Sequence, residues 1–455
     1  MEQKMQGPVK TLLLIVTIFF VFSETQQCHS NQFSIVRDAE IENIIRGYAK
    51  PIFNSAGLTA DNIKIRVVND LQVNAFVLGG QNIFINTGLL IKASNPNEVI
   101  GVLAHEVGHI SGGHLPRIHE NLERAKIKSA LSLFLGAAIG IATSDVAAGA
   151  AVVKAGRGLT IAEILKYNRI QEASADSAAL KYLDTTGQSA KGLKTFLEKI
   201  NNNKLLMRGQ KSPYLSSHPV TSDRIKLVEN HLLLSRYTEV KSNKSQIIDF
   251  EMMRAKIIGF TLPHKKVFKI YPLGTDNAQP AIYARSIANY LIGDLIKALP
   301  IIQELIKKEP NNPFFYELKG QMLFENGRIK ESLLPYNKSI QLAPKEPLLR
   351  INLAKAQIEL NTPILIQKAK AHLSLASTQE PDILEIWRLL SIVNGRLGMM
   401  GEMVLSQAEF QLLSGNYQSA KVLSDRATKK LSVGSPQWLR SQDIKAEALK
   451  KLKAK

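Results

Sequence analysis

At 455 residues the chain exceeds one ordinary domain, so two or three are expected, and 45% hydrophobic with 21% charged residues is the composition of folded domains with sizeable cores. An excess of 58 Lys and Arg over 39 Asp and Glu gives a formal charge of +19, which favours anionic partners such as membrane surfaces or acidic protein patches. No nucleic-acid motif or basic stretch interleaved with aromatics accompanies it, so nucleic acid is set aside as a partner, and the single cysteine, Cys28, excludes an intrachain disulfide framework and any Cys-based zinc site.

Residues 1–30 read as a secretory signal. Lys4 and Lys10 precede the apolar run Leu12 to Phe22, and polar residues follow from Ser23 to Ser30. The run is too short to span a bilayer, with an uncleaved N-terminal anchor as the alternative. The spacing of Ile41, Ile44, Ile45, Tyr48 and Ile52 predicts an amphipathic helix over Asp38 to Asn54. Alternating patterns then predict strands over Ile63 to Val68, Val73 to Val77 and Ile83 to Asn86, the last two joined by Gly79-Gly80-Gln81-Asn82. The expectation is a small antiparallel sheet whose edge, at Asn74, Ala75 and Phe76, can pair with an extended peptide.

The chemistry is concentrated in the next helix, which contains His105-Glu106-Val107-Gly108-His109. Asn95-Pro96-Asn97-Glu98 supplies an N-cap, a first-turn proline and an acidic third position, so the helix starts one to two turns earlier. His105 and His109 then share one face, where two imidazoles can take adjacent corners of a metal tetrahedron. Glu106 sits beside them as a general base that is not itself a ligand.

Beyond it, Ser129 to Gly156 is apolar with a break at Thr143-Ser144-Asp145, and neither half is long enough to span a membrane. A helical hairpin is expected, with core packing, a lid over substrate or membrane contact as its roles. Glu172 and Asp176, four apart in a helical stretch, share a face. Glu172 is the candidate third ligand, and Asp176 can accept the spare N–H of a ligand histidine. A metzincin scheme is excluded, because Leu115 stands where its third histidine is needed. His114 and His119 are read as ordinary helix-end residues. In the loop after this helical region, His218 can stabilise an oxyanion or take the metal's fourth position, and Arg224 can orient carboxylates or hold the loop closed.

Residues 236–274 read as a linker carrying a helix. From 275 to 455 helices recur with the tetratricopeptide period, since Pro310, Pro344 and Pro381 are spaced 34 and 37 residues apart and each closes a helix pair. Such a stack is expected to dock another chain, with a basic tail from Lys445 to Lys455.

Taken together, the HEVGH stretch, Glu172 with Asp176, the Asn74-Ala75-Phe76 strand with its Gly-Gly turn, and His218-Pro219 with Arg224 resemble the HtpX and CAAX-prenyl-protease clan of zinc endopeptidases, from about Phe33 to Ser235. Within that clan, a secretory signal followed by a peptidase domain and helical repeats is similar to the BepA (YfgC) type, periplasmic proteases of outer-membrane protein quality control. The resemblance implies one Zn²⁺ per chain bound by His105, His109 and Glu172, with Glu106 as base.

The expected fold is α+β and mostly helical, with a zincin-type metalloprotease domain over 31–235 and an all-α tetratricopeptide-like solenoid after the linker. The expected function is an exported, periplasmic endopeptidase acting on unfolded or misassembled polypeptides. Outer-membrane assembly proteins are candidate partners for the repeats, and peripheral membrane contact is a further expectation. The alternative is a latched, mainly non-proteolytic chaperone or adaptor.

Overall fold

The structure, a computed structural model, describes residues 34–78, 81–114, 169–202 and 213–453. The signal-type segment, the Gly79-Gly80 turn, His119 and the apolar stretch 129–156 lie outside the described residues. No described helix is long and apolar enough to cross a membrane.

Four strands, β1 (Ile35–Val36), β2 (Lys64–Val68), β3 (Ala75–Leu78) and β4 (Asn82–Asn86), form a sheet in the order β1-β2-β4-β3. The expectation of an antiparallel sheet is corrected here, because β2 and β4 run parallel, pairing Ile65 with Ile83 and Val67 with Ile85. The reason lies in the β2–β3 connection. Asp70 does not turn the chain straight back; its backbone N–H and C=O are both bonded to the Thr87 hydroxyl, at 3.1 and 2.9 Å, just beyond the end of β4. That tie lays β4 beside β2 and leaves β3 on the outside of the sheet.

Helix α1 (Ala39–Ser55) opens on Asp38, whose carboxylate accepts the Ile41 N–H at 3.0 Å, and buries Ile45, Ile52 and Phe53 on the sheet. After α2 (Thr87–Lys92) comes α3 (Pro96–Ser111), capped by Asn95. It is buried along nearly its whole length, so it runs through the centre of the first core. Around it pack α4 (169–185), α5 (Lys191–Asn201), the short α6 (Pro213–Ser217) and α7 (Ser222–Leu234).

The segment expected to be a linker contains α8 (Lys244–Thr261) and α9 (His264–Ile270). Apolar residues lie all round α8, and a helix of that kind is buried on several sides. Phe250, Met253 and Ile257 enter the first core, Met252 joins the core of the first repeat, and Ala255 and Ile258 pack with Ala281 and Ala284.

The repeats follow as α10 (Gln279–Leu291), α11 (Leu295–Lys308), α12 (Pro313–Glu325), α13 (Ile329–Leu342), α14 (Pro347–Leu360), α15 (Pro363–Gln379), α16 (Leu384–Arg396) and α17 (Met400–Leu413), then α18 (Tyr417–Thr428) and α19 (Pro436–Lys453). In the first four pairs the inner turn needs a left-handed residue. Gly293, Gly327 and Gly398 supply it, and Asn361 does so at φ 51°.

The repeats fold back onto the first core. Ala39 of α1 is buried among Tyr336, Ile340, Leu349 and Leu353. Fully buried Lys256 of α8 reaches Asp38 at 2.7 Å, Glu40 at 3.0 Å and Glu317 of α12 at 3.9 Å. Farther along, Glu380 lies 3.5 Å from Arg37 and 3.6 Å from Arg66, and Asp382 pairs with Lys64.

Candidate metal centre

Helical spacing puts His105 and His109 on one face of α3, and α4 crosses that face closely. Gly108 makes the crossing possible, because a Cβ there would sit 2.6 Å from the Ala175 carbonyl oxygen. Glu172 is thereby brought against both imidazoles, its carboxylate oxygens 3.3 Å from His105 Nε2 and 3.2 Å from His109 Nε2. The turn between α6 and α7 adds His218, whose Nδ1 is 3.0 Å from Glu172 and 3.3 Å from His105 Nε2. All four side chains are buried, and each offers a donor atom within 4.8 Å of the others.

These spacings can be tested against a metal. A tetrahedral ion with bonds of about 2.0–2.1 Å needs donors about 3.3–3.4 Å apart. The pairs His105–His109 at 3.0 Å, His105–Glu172 at 3.3 Å and His109–Glu172 at 3.2 Å are close to such edges. Three imidazole nitrogens and a carboxylate oxygen gathered within 4.8 Å of one another are the donor set of a divalent cation, whose charge lets their lone pairs crowd together.

Glu106 supplies a second observation. It is fully buried, and among the described residues neither carboxylate oxygen has a hydrogen-bond partner; nor does His218 Nε2, 3.6 Å from one of them. A buried carboxylate left this way is costly, and so marks a group held ready for something that binds.

A ring of contacts holds the donors. Asp176 Oδ1 lies 2.8 Å from His105 Nδ1. Arg224 donates to both oxygens of Asp176, at 2.6 and 2.9 Å, and its third nitrogen is 2.7 Å from Glu172 and 3.1 Å from the Pro219 carbonyl. Arg224 thus faces the carboxylates and the His218 loop together. Burial disfavours charge on all of these groups, yet the carboxylates of Glu172 and Asp176 outweigh it and push the His105 imidazole up to about 10. Against the same burial, His105 holds both carboxyls below their ordinary range. The two buried carboxylates are thus balanced by the Arg224 guanidinium and by positive charge at His105.

Asn74, Ala75 and Phe76 lie at the outer strand of the sheet, with Phe76 stacked on Phe84 at 5.1 Å, and α6 packs against β3 just before His218. Two neighbours were missed by the sequence reading. Tyr214, fully buried, packs on the His218 ring at 4.8 Å and on Phe196 at 5.2 Å. His114, read as an ordinary helix-end residue, is buried with Nδ1 2.9 Å from His109 Nδ1. The signal for it was the Gly112-Gly113 pair, which ends α3 and folds the chain back, Gly113 at φ 60°. His114→Ala is expected to weaken metal binding by roughly 10–100-fold, the usual effect of removing a group that orients a ligand histidine, as measured by competition with a chromogenic chelator.

Residues 36–232 match the model of Peptidase family M48. A Vibrio cholerae relative is 24% identical over 422 residues, covering 89% of this chain and 83% of its own. The Beta-barrel assembly-enhancing protease of Escherichia coli K12 is 22% identical over 426 residues, covering 92% of this chain and 85% of its own. Metalloprotease YcaL of the same organism is 28% identical over 188 residues, 40% of this chain and 67% of its own.

Proposed function

We propose, from the premise that residues 36–232 are a peptidase family M48 domain and the chain a metallopeptidase, that it is an exported zinc endopeptidase of the bacterial envelope. It would cleave unfolded or misassembled polypeptides in the periplasm and dock outer-membrane assembly proteins on its helical repeats. The observation that carries the reading is the buried cluster of His105, His109, Glu172 and His218, whose donor atoms lie within 4.8 Å of one another, with Glu106 beside it.

In this reading His105, His109 and Glu172 hold one Zn²⁺, which suits imidazole and carboxylate donors in a tetrahedron. When bound, the ion supplies Lewis acidity to the scissile carbonyl and acidifies water. Glu106 takes the proton from the attacking water and delivers it to the leaving amine. Asp176 and Arg224 keep His105 and Glu172 in place. Substrate adds as a strand along Asn74, Ala75 and Phe76, so it must be extended, and a compact fold is refused. The relatives named as assembly-enhancing proteases support the envelope setting.

His218 stands at the fourth corner and so closes the site at rest. Zinc content and casein cleavage of the wild type and His218→Ala test this. One zinc per chain in both and faster cleavage by the variant are expected; abolished cleavage would instead make His218 a group that stabilises the transition state. The closed corner also favours the second reading, a latched chaperone or adaptor that cleaves rarely.

A further inference from the structure

A surface on α9, α10 and α11 is used neither by the catalytic cluster nor by the core. Leu273, Ile292 and Ile296 are exposed there, Leu273 to 70% and Ile296 to 89%, and Ile270 and Leu291 are exposed on the same helices. Leu273, Ile292 and Ile296 line a shallow cavity of about 850 Å³ together with Phe268, Lys265, Lys269 and Lys297. A grouping of protruding aliphatic side chains this dense is a contact surface, since isolated surface aliphatics are scattered singly.

The charge around it has one sign. Helix α9 buries Val267 and exposes Lys265, Lys266 and Lys269, none of which has an ion pair with an acidic side chain among the described residues. The nearby acids Asp294 and Asp276 already have partners. Asp294 caps α11 and binds Lys297 at 2.7 Å, and Asp276 accepts the Ala278 N–H at 3.1 Å. Arg285 is buried and spends its donors on the carbonyls of Tyr271, Pro272 and Asp276. Arg254, beside Tyr271, is paired with Glu251 at 3.1 Å, so the free charges that the surface presents among its aliphatic side chains are the α9 ammonium groups.

We propose that this patch seats the protein on a lipid surface carrying anionic phosphate headgroups, with Leu273, Ile292 and Ile296 entering the acyl boundary and the α9 lysines lying over the headgroups. Fixed recognition of a peptide carboxylate favours the planar fork of arginine. Flexible lysines act as point charges, which suits mobile headgroups, and each adds to binding at an anionic surface. The formal charge of +19 draws the whole chain the same way.

The test is sedimentation of the full chain with vesicles of phosphatidylglycerol and phosphatidylcholine, against vesicles of phosphatidylcholine alone. Pelleting is expected only with the anionic vesicles and should weaken as salt rises. Reversing three charges (Lys265→Glu, Lys266→Glu, Lys269→Glu) should lower partitioning roughly a hundredfold or more. Ile292→Asp with Ile296→Asp should remove it, while an unchanged melting temperature certifies the fold of each variant without reference to proteolysis. Pelleting retained by both variants would place lipid binding elsewhere and overturn the proposal. Two further results would also overturn it: loss, in these variants only, of binding to a labelled peptide of alternating Leu and Glu without any vesicle binding, or of a concentration-dependent dimer.

Discussion

The Glu106→Gln variant will cleave casein about a thousandfold more slowly than the wild type while keeping its metal, the size of effect usual for removing a positioned general base. The two outcomes separate because Glu106 is not one of the four clustered donors. Its carboxylate makes no hydrogen bond among the described residues, so the isosteric amide breaks none of those, and the melting temperature should be equal or higher. Metal analysis beside initial rates reads both effects. Full biological activity in a variant that no longer cleaves would sink proteolysis as the main role and leave the adaptor reading.

The second large effect is on stability. Arg224→Met should cost the metal-free protein about 3–5 kcal/mol in urea unfolding, because it leaves Asp176 and Glu172 buried without their guanidinium. Arg224→Lys keeps the charge but loses the paired bonds to Asp176, and should fall between the two. Saturating zinc should shrink the loss in both variants, since the ion compensates Glu172 directly. A loss that zinc leaves unchanged would mean that Arg224 serves packing alone.

The catalytic helix was legible because its signals are local. Asn95, Pro96 and Glu98 mark its start, and four-residue spacing alone sets His105 and His109 on one face. Glu172 and Asp176 are legible as a helical pair for the same reason, and the structure brings both against His105. The sheet was legible only in part, since alternation tells which residues face the core and says nothing of which strand lies beside which. The neighbour choice rests on Asp70 and Thr87, 17 residues apart. Arg224 and Asp176, 48 residues apart, likewise leave no local trace of their pairing. His114 escaped because its position was judged only as a ligand position, while its contact with His109 depends on the backbone reversal at Gly113. The 236–274 segment reads as a linker from its polar start, and the structure places α8 and α9 in it, with Phe250, Met253 and Ile257 of α8 in the first core.

Helix α1 has a consequence for how load would travel. Its N-terminal end, at Asp38, Ala39 and Glu40, is held by Lys256 and by the repeats, and its flank packs on α3, which carries the two histidines. With 17 residues it is a rod about 25 Å long. The repeats and the histidine-bearing α3 thus both bear on one helix, and a pull on the solenoid would reach the histidines through it.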